Sequence, residues 1–216
     1  MLVKDENDTS YLRKLAKILI GVSATHKLYV VTGGGKIARY YINEGRALGA
    51  DESFLDEMGI EVTRLNARLL IVALGDRASQ KPPKDYDEAL HAGATHSIVV
   101  MGGVSPGITT DAVSALLAER VKAKRLVNAT NVDGAYTSDP AKDPEATRIS
   151  KMTHKELIDL VSSTAPGAGP NIVFDPVGAR IIERSKITLS IVAGRDLPNL
   201  FDALQGNKFK GTIVVP

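Results

Sequence analysis

Short apolar runs alternate with helical patterns along this chain, and three of these runs end in loops rich in glycine or polar residues. Leu28–Thr32 leads into three glycines, Ser97–Met101 leads into two, and Arg125–Ala129 opens into a polar segment. Runs of this length and composition are typical of buried strands, and two more are predicted at 188–192 and 212–215. Strands that alternate with helices favour an α/β fold with a mainly parallel sheet.

The helical pattern recurs in seven segments. Helices are predicted over residues 10–20, 36–48, 53–74, 109–121, 153–162, 176–184 and 198–204. The longest has apolar residues every three or four positions from Leu55 to Val72, the spacing of one helix face, with a kink expected near Gly59. Because the chain has 216 residues and no internal repeat or long linker, a single domain over residues 1–216 is predicted.

Composition excludes several classes of protein. Hydrophobic residues make up 44% of the chain and charged residues 24%, which is enough apolar surface for a folded core. The formal net charge of +2 is too small to favour a nucleic-acid partner, and the absence of cysteine excludes disulfides and thiolate metal sites. No apolar stretch is long enough for a membrane span, and the N-terminus lacks a signal-peptide core. We therefore expect no membrane partner and a cytoplasmic location.

The first loop, Thr32–Arg39, lies between a predicted strand and a predicted helix. Glycine lets a backbone approach a ligand closely, and a helix N-terminus offers N–H groups to an anion. Lys36 and Arg39 add positive charge about one helical turn apart. The alternative is a tight turn with two solvated cations. The spacing also fits a degenerate G-x-G-x-x-A dinucleotide fingerprint, whereas Ile37 after the lysine excludes a Walker A loop.

Two further loops carry polar groups after a predicted strand. Gly102–Asp111 has three glycines and three hydroxyl side chains before a helix, which suits a phosphate or a polar ring. The alternative is a rigid loop in which Thr109 or Thr110 caps that helix. Ala129–Pro140 has hydrogen-bonding side chains and Tyr136, which suits a purine and its ribose, or forms an Asx-rich turn. Since ligands bind at the carboxyl ends of parallel strands, the three loops are expected to share one face.

The remaining polar features are weaker. The four histidines lack metal-ligand spacing and are predicted to be surface or capping residues: His26, His91, His96 and His154. No metal site is therefore predicted in the chain itself. Ser162–Pro170 consists of small residues, glycine and proline, which indicates a loop or a lid.

Five motifs in order along the chain carry a family resemblance. They are V-T-G-G-G-K-I-A-R at 31–39, G-I-E-V-T-R-L-N-A at 59–67, M-G-G-V-S-P-G-I-T-T-D-A-V at 101–113, A-T-N-V-D-G-A-Y-T-S-D-P at 129–140 and F-D-P-V-G-A-R-I-I-E-R-S at 174–185. Together they resemble the archaeal-type uridylate kinases, members of the amino acid kinase family. The resemblance implies a three-layer α-β-α sandwich, phosphoryl transfer from Mg-ATP to UMP in pyrimidine nucleotide synthesis, and a homo-oligomer, usually a hexamer.

Position by position, the resemblance implies ligand contacts within the three loops and at Asp56 of the long predicted helix. Contacts to UMP are implied for Gly34, Asp56, Gly103, Val104, Ser105, Pro106, Gly107, Ile108, Thr109 and Thr110. Contacts to ATP are implied for Gly35, Arg39, Thr130, Asn131, Tyr136 and Asp139. The predicted catalytic residues are Lys36, Arg39 and Asn131. Mg²⁺ is implied as the ion that accompanies ATP.

One departure from the family concerns the start of the chain. Aligned on these motifs, Met1-Leu2-Val3 follows directly after the position of the family's first strand and glycine-rich loop, so we expect the chain as written to lack both. Because that loop binds the transferring phosphates in the family, its loss is expected to lower turnover more than nucleotide binding.

Two alternatives to this function stay open: another amino acid kinase with a different acceptor, and a non-catalytic nucleotide-binding or assembly subunit of the same fold.

Overall fold

The computed structural model describes residues 9–138, 140, 142–162 and 173–216. The helices in this part of the chain are α1 (Thr9–Ser23), α2 (Gly35–Ala47), α3 (Glu52–Leu74), α4 (Tyr86–Thr95), α5 (Thr110–Arg120), α6 (His154–Ser162), α7 (Pro176–Arg184) and α8 (Leu197–Gln205), with a 3₁₀ turn at Gly75–Arg77. The strands are β1 (Leu28–Val31), β2 (Ile98–Met101), β3 (Arg125–Thr130), β4 (Ala135–Tyr136), β5 (Arg148–Ile149), β6 (Lys151–Thr153), β7 (Thr188–Ala193) and β8 (Thr212–Val215). Contacts divide the chain into unit 1, which ends at Val113, and unit 2, which begins at Ser114.

The sheet of unit 1 consists of β1 and β2. The two strands pair in parallel, with Leu28 opposite Ile98 and Val31 opposite Met101. All four side chains of β2 are fully buried, and successive side chains of a strand point to opposite faces, so both faces of β2 are covered. Helices α1, α3 and α4 pack on these strands. Because the strands are parallel, the loops that follow them leave from the same edge.

Helix α3 is the longest helix described and runs as one uninterrupted element. Asp51 caps it by accepting the N–H of Phe54 at 2.9 Å, and Gly75, with φ of 58°, ends it. The face predicted from the sequence is confirmed only in part, because Leu55 and Val62 are buried whereas Leu65, Leu69 and Val72 are exposed. The buried face consists of Leu55, Val62, Thr63, Asn66, Ala67, Leu70, Ile71 and Leu74. Neither α3 nor any other helix in the described residues combines the length and the apolar character of a membrane span.

The main sheet of unit 2 has the strand order β3-β7-β8-β6. β3 pairs with β7 in parallel, as does β6 with β8, whereas β7 and β8 are antiparallel. Leu189–Val192 of β7 are buried on both faces, and α6 and α8 pack on the sheet. Leu157, Phe174 and Ile182 belong to the hydrophobic core of this unit. β4 and β5 form a separate antiparallel pair.

The sequence-based predictions of secondary structure are largely confirmed. All predicted helices and strands are present, with ends within about three residues of the predicted ones, as helix ends commonly vary by one or two. Four elements were missed: α4, β4, β5 and β6. The missed strands have two or three residues each, too few for an alternating pattern, and only Ala89 and Gly93 of α4 are buried.

One prediction about the histidines is wrong. His154 is not a surface residue: it is only 3% exposed, at the start of α6. Its Nε2 lies 2.8 Å from the carbonyl oxygen of Ile187 and donates a hydrogen bond to it. This bond satisfies the ring inside the core of unit 2, because a buried polar group without a partner would be costly.

Candidate functional site

The first glycine loop runs directly into α2, whose N-terminus differs from those of α3 and α4. Asp51 and Asp85 cap α3 and α4 through their side chains, whereas Gly34 occupies this position in α2. Within the described part of the chain, the first turn of α2 has neither a side-chain cap nor an acidic residue. Lys36 and Arg39 are both exposed at the beginning of this helix. The result is a helix start that favours an anion.

The second loop is fixed by α3 and by its own threonine. Asp56 Oδ2 accepts the N–H of Gly107 at 2.7 Å, and Gly107 has φ of 76°, a conformation that glycine adopts without strain. Thr109 Oγ1 accepts a backbone N–H in the first turn of α5 at 3.2 Å, which confirms the predicted cap. Gly103 is buried, whereas Ser105–Thr109 is exposed. The loop is therefore anchored at its base and open along its length.

The first and second loops lie against each other in unit 1. The hydroxyl oxygen of Thr110 is 3.7 Å from the position that a Cβ on Gly33 would occupy. The start of α5 consequently lies beside the loop that leads into α2. Because a helix start carries a partial positive charge, this junction suits a phosphate group.

The third loop lies in unit 2 and includes β4. Tyr136 is half-buried, and its hydroxyl donates to Asp133 Oδ1 at 2.6 Å. This bond lowers the pKa of Asp133 and raises the pKa of Tyr136. Lys210 Nζ and Arg148 Nη1, each 3.2 Å from Asp133 Oδ2, also favour the ionised carboxylate. The tyrosine ring is thus held by a small network centred on one carboxylate.

The backbone of the third loop is held by a buried hydroxyl. Thr212 Oγ1 accepts the N–H of Ala135 at 2.8 Å and donates to the carbonyl of Ile149 at 2.5 Å. A Cβ on Gly134, whose φ is 154°, would lie 2.8 Å from that hydroxyl and 2.9 Å from the Cδ of Arg148. The position before β4 therefore requires glycine.

The other predicted residues are placed as follows. Thr130 ends β3, and its hydroxyl donates to the amide oxygen of the exposed Asn131 at 3.1 Å. Asp139 lies outside the described residues, as does the predicted lid from residue 163 to residue 170. Within the described ranges, no three His, Asp or Glu side chains are grouped closely enough to hold a metal ion.

The sequence analysis missed several side chains that support these loops. Thr63 and Asn66 are buried on α3 beside the loops of unit 1, and Asp133, Arg148 and Lys210 surround Tyr136 in unit 2. No clear signal in the sequence pointed to the first pair, because the apolar spacing of α3 placed Leu65 and Leu69, and not Thr63 and Asn66, on the predicted core face. Local sequence gives no signal for Arg148 and Lys210 either.

Comparison with known proteins gives a consistent result. The sequence model of the amino acid kinase family matches residues 2–193. The uridylate kinase of Methanoculleus marisnigri is 46% identical over 207 residues, which is 96% of this chain and 88% of that protein. The uridylate kinase of Archaeoglobus fulgidus is 44% identical over 208 residues, which is 96% of this chain and 94% of that protein.

Solved structures agree with the sequence matches. The crystal structure of the Archaeoglobus fulgidus uridylate kinase matches with a TM-score of 0.89 and 42% identity, covering 97% of this chain and 94% of that one. The UMP kinase of Bacillus anthracis, at 20% identity and a TM-score of 0.78 over 96% of this chain and 87% of that one, shares the fold. These matches confirm the predicted α/β fold, and the chain belongs to the amino acid kinase family.

Proposed function

We propose that this protein transfers the γ-phosphoryl group of ATP to UMP and so produces UDP for pyrimidine nucleotide synthesis. The observation that carries the proposal is the junction of the first two loops in unit 1, where the start of α5 lies beside the loop that leads into α2. Family membership and the similarity to uridylate kinases over nearly the whole chain support it.

The acceptor nucleotide is assigned to unit 1. Its phosphate would lie at the start of α5, near Thr109 and Thr110, and against Gly34. Asp56 would accept from the ribose hydroxyls through the oxygen that does not bind Gly107. The remaining proposed contacts come from the second loop: Gly103, Val104, Ser105, Pro106, Gly107 and Ile108.

The similarity to uridylate kinases supports two sets of contacts for the donor nucleotide. For its phosphates these are Gly35, Lys36 and Arg39 at the start of α2. For its nucleoside they are Thr130, Asn131, Tyr136 and Asp139. We propose that Mg²⁺ enters with ATP as part of the substrate and offsets the charge of its phosphates.

The reaction needs little covalent chemistry from the protein. A phosphate oxygen of UMP forms a bond to the γ-phosphorus while the bond from that phosphorus to the bridging oxygen of ADP breaks, and ADP leaves with the electron pair. The transition state spreads negative charge over the transferring group, so positioning and positive charge provide the catalysis. Lys36, Arg39 and the backbone N–H groups at the start of α2 would supply that positive charge, and Asn131 would orient ATP.

Measuring ADP release with UMP, CMP, GMP and AMP as acceptors tests the proposal. We expect UMP to give the highest kcat/KM and turnover to require Mg²⁺. Equal or greater turnover with another monophosphate would overturn the assignment of the acceptor. Tight UMP binding without turnover would instead support a nucleotide-binding or assembly subunit.

We also propose that the active form is a homo-oligomer, because α3 presents an apolar stripe away from the core of unit 1. Leu65 is 62% exposed and Val72 is 78% exposed, and Phe54 and Leu69 continue the stripe at helical spacing. Exposed apolar residues in such a row indicate a protein interface. We propose that a second copy covers this stripe about a two-fold axis, and that pairs assemble into a hexamer.

Substitution on the stripe tests this assembly. Leu65→Asp is expected to release smaller species when molar mass is measured by light scattering. Leu90→Asp on α4, where the leucine is 38% exposed, is the matched control and should leave the mass unchanged. An unchanged mass for Leu65→Asp, or a monomeric wild type, would contradict the proposed interface.

Because the proposed substrates are nucleotides of the cell interior, the proposed location is the cytoplasm.

A further inference from the structure

One turn of α3 contacts both glycine loops of unit 1 through buried polar side chains. We propose that Thr63 and Asn66 are positioning residues, which determine whether each loop presents N–H donors or carbonyl acceptors to the nucleotides. The inference rests on the proposed kinase function. Both residues are only 6% exposed and lie on the core side of the helix. Polar side chains buried to this degree require specific partners, and here the partners are loop backbone atoms.

Asn66 sets the direction of the peptides in the first loop. Its Nδ2 donates to the carbonyl oxygen of Gly33 at 2.8 Å and to that of Gly34 at 3.4 Å. In a trans peptide, the C=O of one residue and the N–H of the next point in opposite directions, and the described residues contain no cis peptide bond. The N–H groups of Gly34 and Gly35 are therefore turned away from α3, the arrangement that a phosphate needs.

Thr63 sets the opposite polarity in the second loop. Its hydroxyl accepts the N–H of Gly103 at 2.7 Å and donates to the carbonyl of Ile60 at 2.6 Å. Because the N–H of Gly103 points at α3, the carbonyl of Gly102 in the same peptide points away from it. The second loop thus presents an acceptor, which suits the N–H and hydroxyl groups of a nucleoside.

The contacts of Thr63 and Asn66 are linked through Thr32, the residue that directly follows β1. The hydroxyl of Thr32 donates to the backbone carbonyl of Thr63 at 2.8 Å. Glycine makes the close approach of α3 possible, because a Cβ on Gly102 would lie 2.4 Å from Thr63 Oγ1 and 2.7 Å from the backbone nitrogen of Arg64. One turn of α3 therefore fixes the orientation of backbone N–H and C=O groups in both loops.

Substitution of Thr63 tests the second loop. Thr63→Val keeps the shape of the side chain but leaves the N–H of Gly103 without its acceptor, so the KM for UMP should rise about tenfold or more. The KM for ATP should stay unchanged, since the donor is not assigned to this loop. Thr63→Ser retains the hydroxyl, and it should keep both constants close to those of the wild type. If Thr63 had only a structural role, the substitution would change the KM values for UMP and ATP together.

Substitution of Asn66 tests the first loop by means of pH. In Asn66→Asp, an ionised carboxylate would face the carbonyl oxygens of Gly33 and Gly34, so the KM values for UMP and ATP should both rise. Burial raises the pKa of a carboxyl group, and once protonated this group can again donate to Gly33. The ratio of the variant's KM to that of the wild type, measured at each pH, should therefore fall toward one on acidification.

Amide hydrogen exchange provides a readout that needs no nucleotide. The amide of Gly103 should exchange faster in Thr63→Val than in the wild type and Thr63→Ser. Unchanged exchange at Gly103, or a pH-independent KM ratio for Asn66→Asp, would overturn the inference. If the wild type neither binds nor phosphorylates UMP, the proposed function fails and the Gly103 exchange rate alone decides this inference. If Thr63→Val does not fold, the pH series of Asn66→Asp decides it.

Discussion

The loops of unit 1 and the loop of unit 2 are held in place by different interactions. In unit 1, the buried and neutral side chains of Thr63 and Asn66 bind the backbone of both glycine loops, while the carboxylate of Asp56 binds the exposed Gly107. In unit 2, Tyr136 is held by a carboxylate that also binds two cationic side chains, and that carboxylate is partly exposed. Buried neutral bonds resist changes of salt and pH, whereas exposed ion pairs are screened by salt.

Because of this difference, we expect the loops of the two units to respond differently to changes of packing and of charge. The loops assigned to the acceptor depend on close packing, so their shape should change little until packing is disrupted. In the loop assigned to the donor nucleoside, Thr212 holds the backbone, but the ring of Tyr136 depends on a charged network. Changes of salt or pH should therefore alter the position of that ring gradually. Three predictions test this contrast, from the largest expected effect to the smallest.

The largest effect is expected from Gly102→Ala. A Cβ there would lie 2.7 Å from a backbone atom of α3, which cannot move aside as a flexible side chain could. Overpacking of this kind costs about 3 kcal/mol, so thermal unfolding should occur well below the wild-type temperature. Gly21→Ala is the matched control, because a Cβ at this helical position of α1 meets no atom within 4 Å. It should stabilise the protein by about 0.5–1 kcal/mol. Similar behaviour of the two variants would contradict the packing argument.

A smaller effect is expected from removing one ligand-facing side chain in each unit. Asp56→Ala should raise the KM for UMP about tenfold with little change in the KM for ATP, and Tyr136→Ala should do the reverse. Steady-state kinetics with each substrate varied in turn provide both constants. If both variants shift the same constant, the assignment of Asp56 to the acceptor and of Tyr136 to the donor is wrong. If Asp56 serves only the helix dipole of α3, its loss affects stability by about 0.3–1 kcal/mol and leaves both constants unchanged.

The same contrast explains how far the sequence could be interpreted. Strands such as β1 and β2 and the existence of the long helix α3 were predictable, because their apolar patterns are local. The buried face of α3 was predicted only in part, since Leu65, Leu69 and Val72 are exposed. The positions of the glycine loops were also predictable, since their glycines stand next to one another in the sequence. β4 was not predictable, because two residues are too few to show a local pattern. It becomes a strand by pairing with β5, and its backbone is also bound by Thr212, 77 positions away.

The supporting side chains of the candidate site follow the same rule. The bond between Thr63 and Gly103 joins residues 40 positions apart, and Lys210 reaches Asp133 from the other end of unit 2. A sequence shows which side chains can form hydrogen bonds but not which distant atom each one meets. His154 illustrates the error that results. A surface position was predicted because histidine is a polar residue, but its hydrogen-bond partner, the carbonyl of Ile187, lies inside the core.

The smallest effect is expected from Asp133→Asn, which removes the charge at the centre of the unit 2 network. The hydrogen bond from Tyr136, followed by Lys210 and Arg148, holds the pKa of Asp133 below its ordinary value of 3.8. A lowered pKa in the folded state contributes stability that is fully present above the unfolded value and is lost as the pH falls through the folded value.

The difference in unfolding free energy between the wild type and Asp133→Asn should therefore be constant near neutral pH and shrink below about pH 4. Because the carboxylate is partly exposed, this difference should be about 1 kcal/mol or less, and added salt should reduce it. The asparagine can still accept from Tyr136, so the KM for ATP should rise only severalfold. Chemical denaturation at several pH values and salt concentrations measures the first quantity. A difference that is insensitive to both would show that the network acts by shape alone, as the loops of unit 1 do.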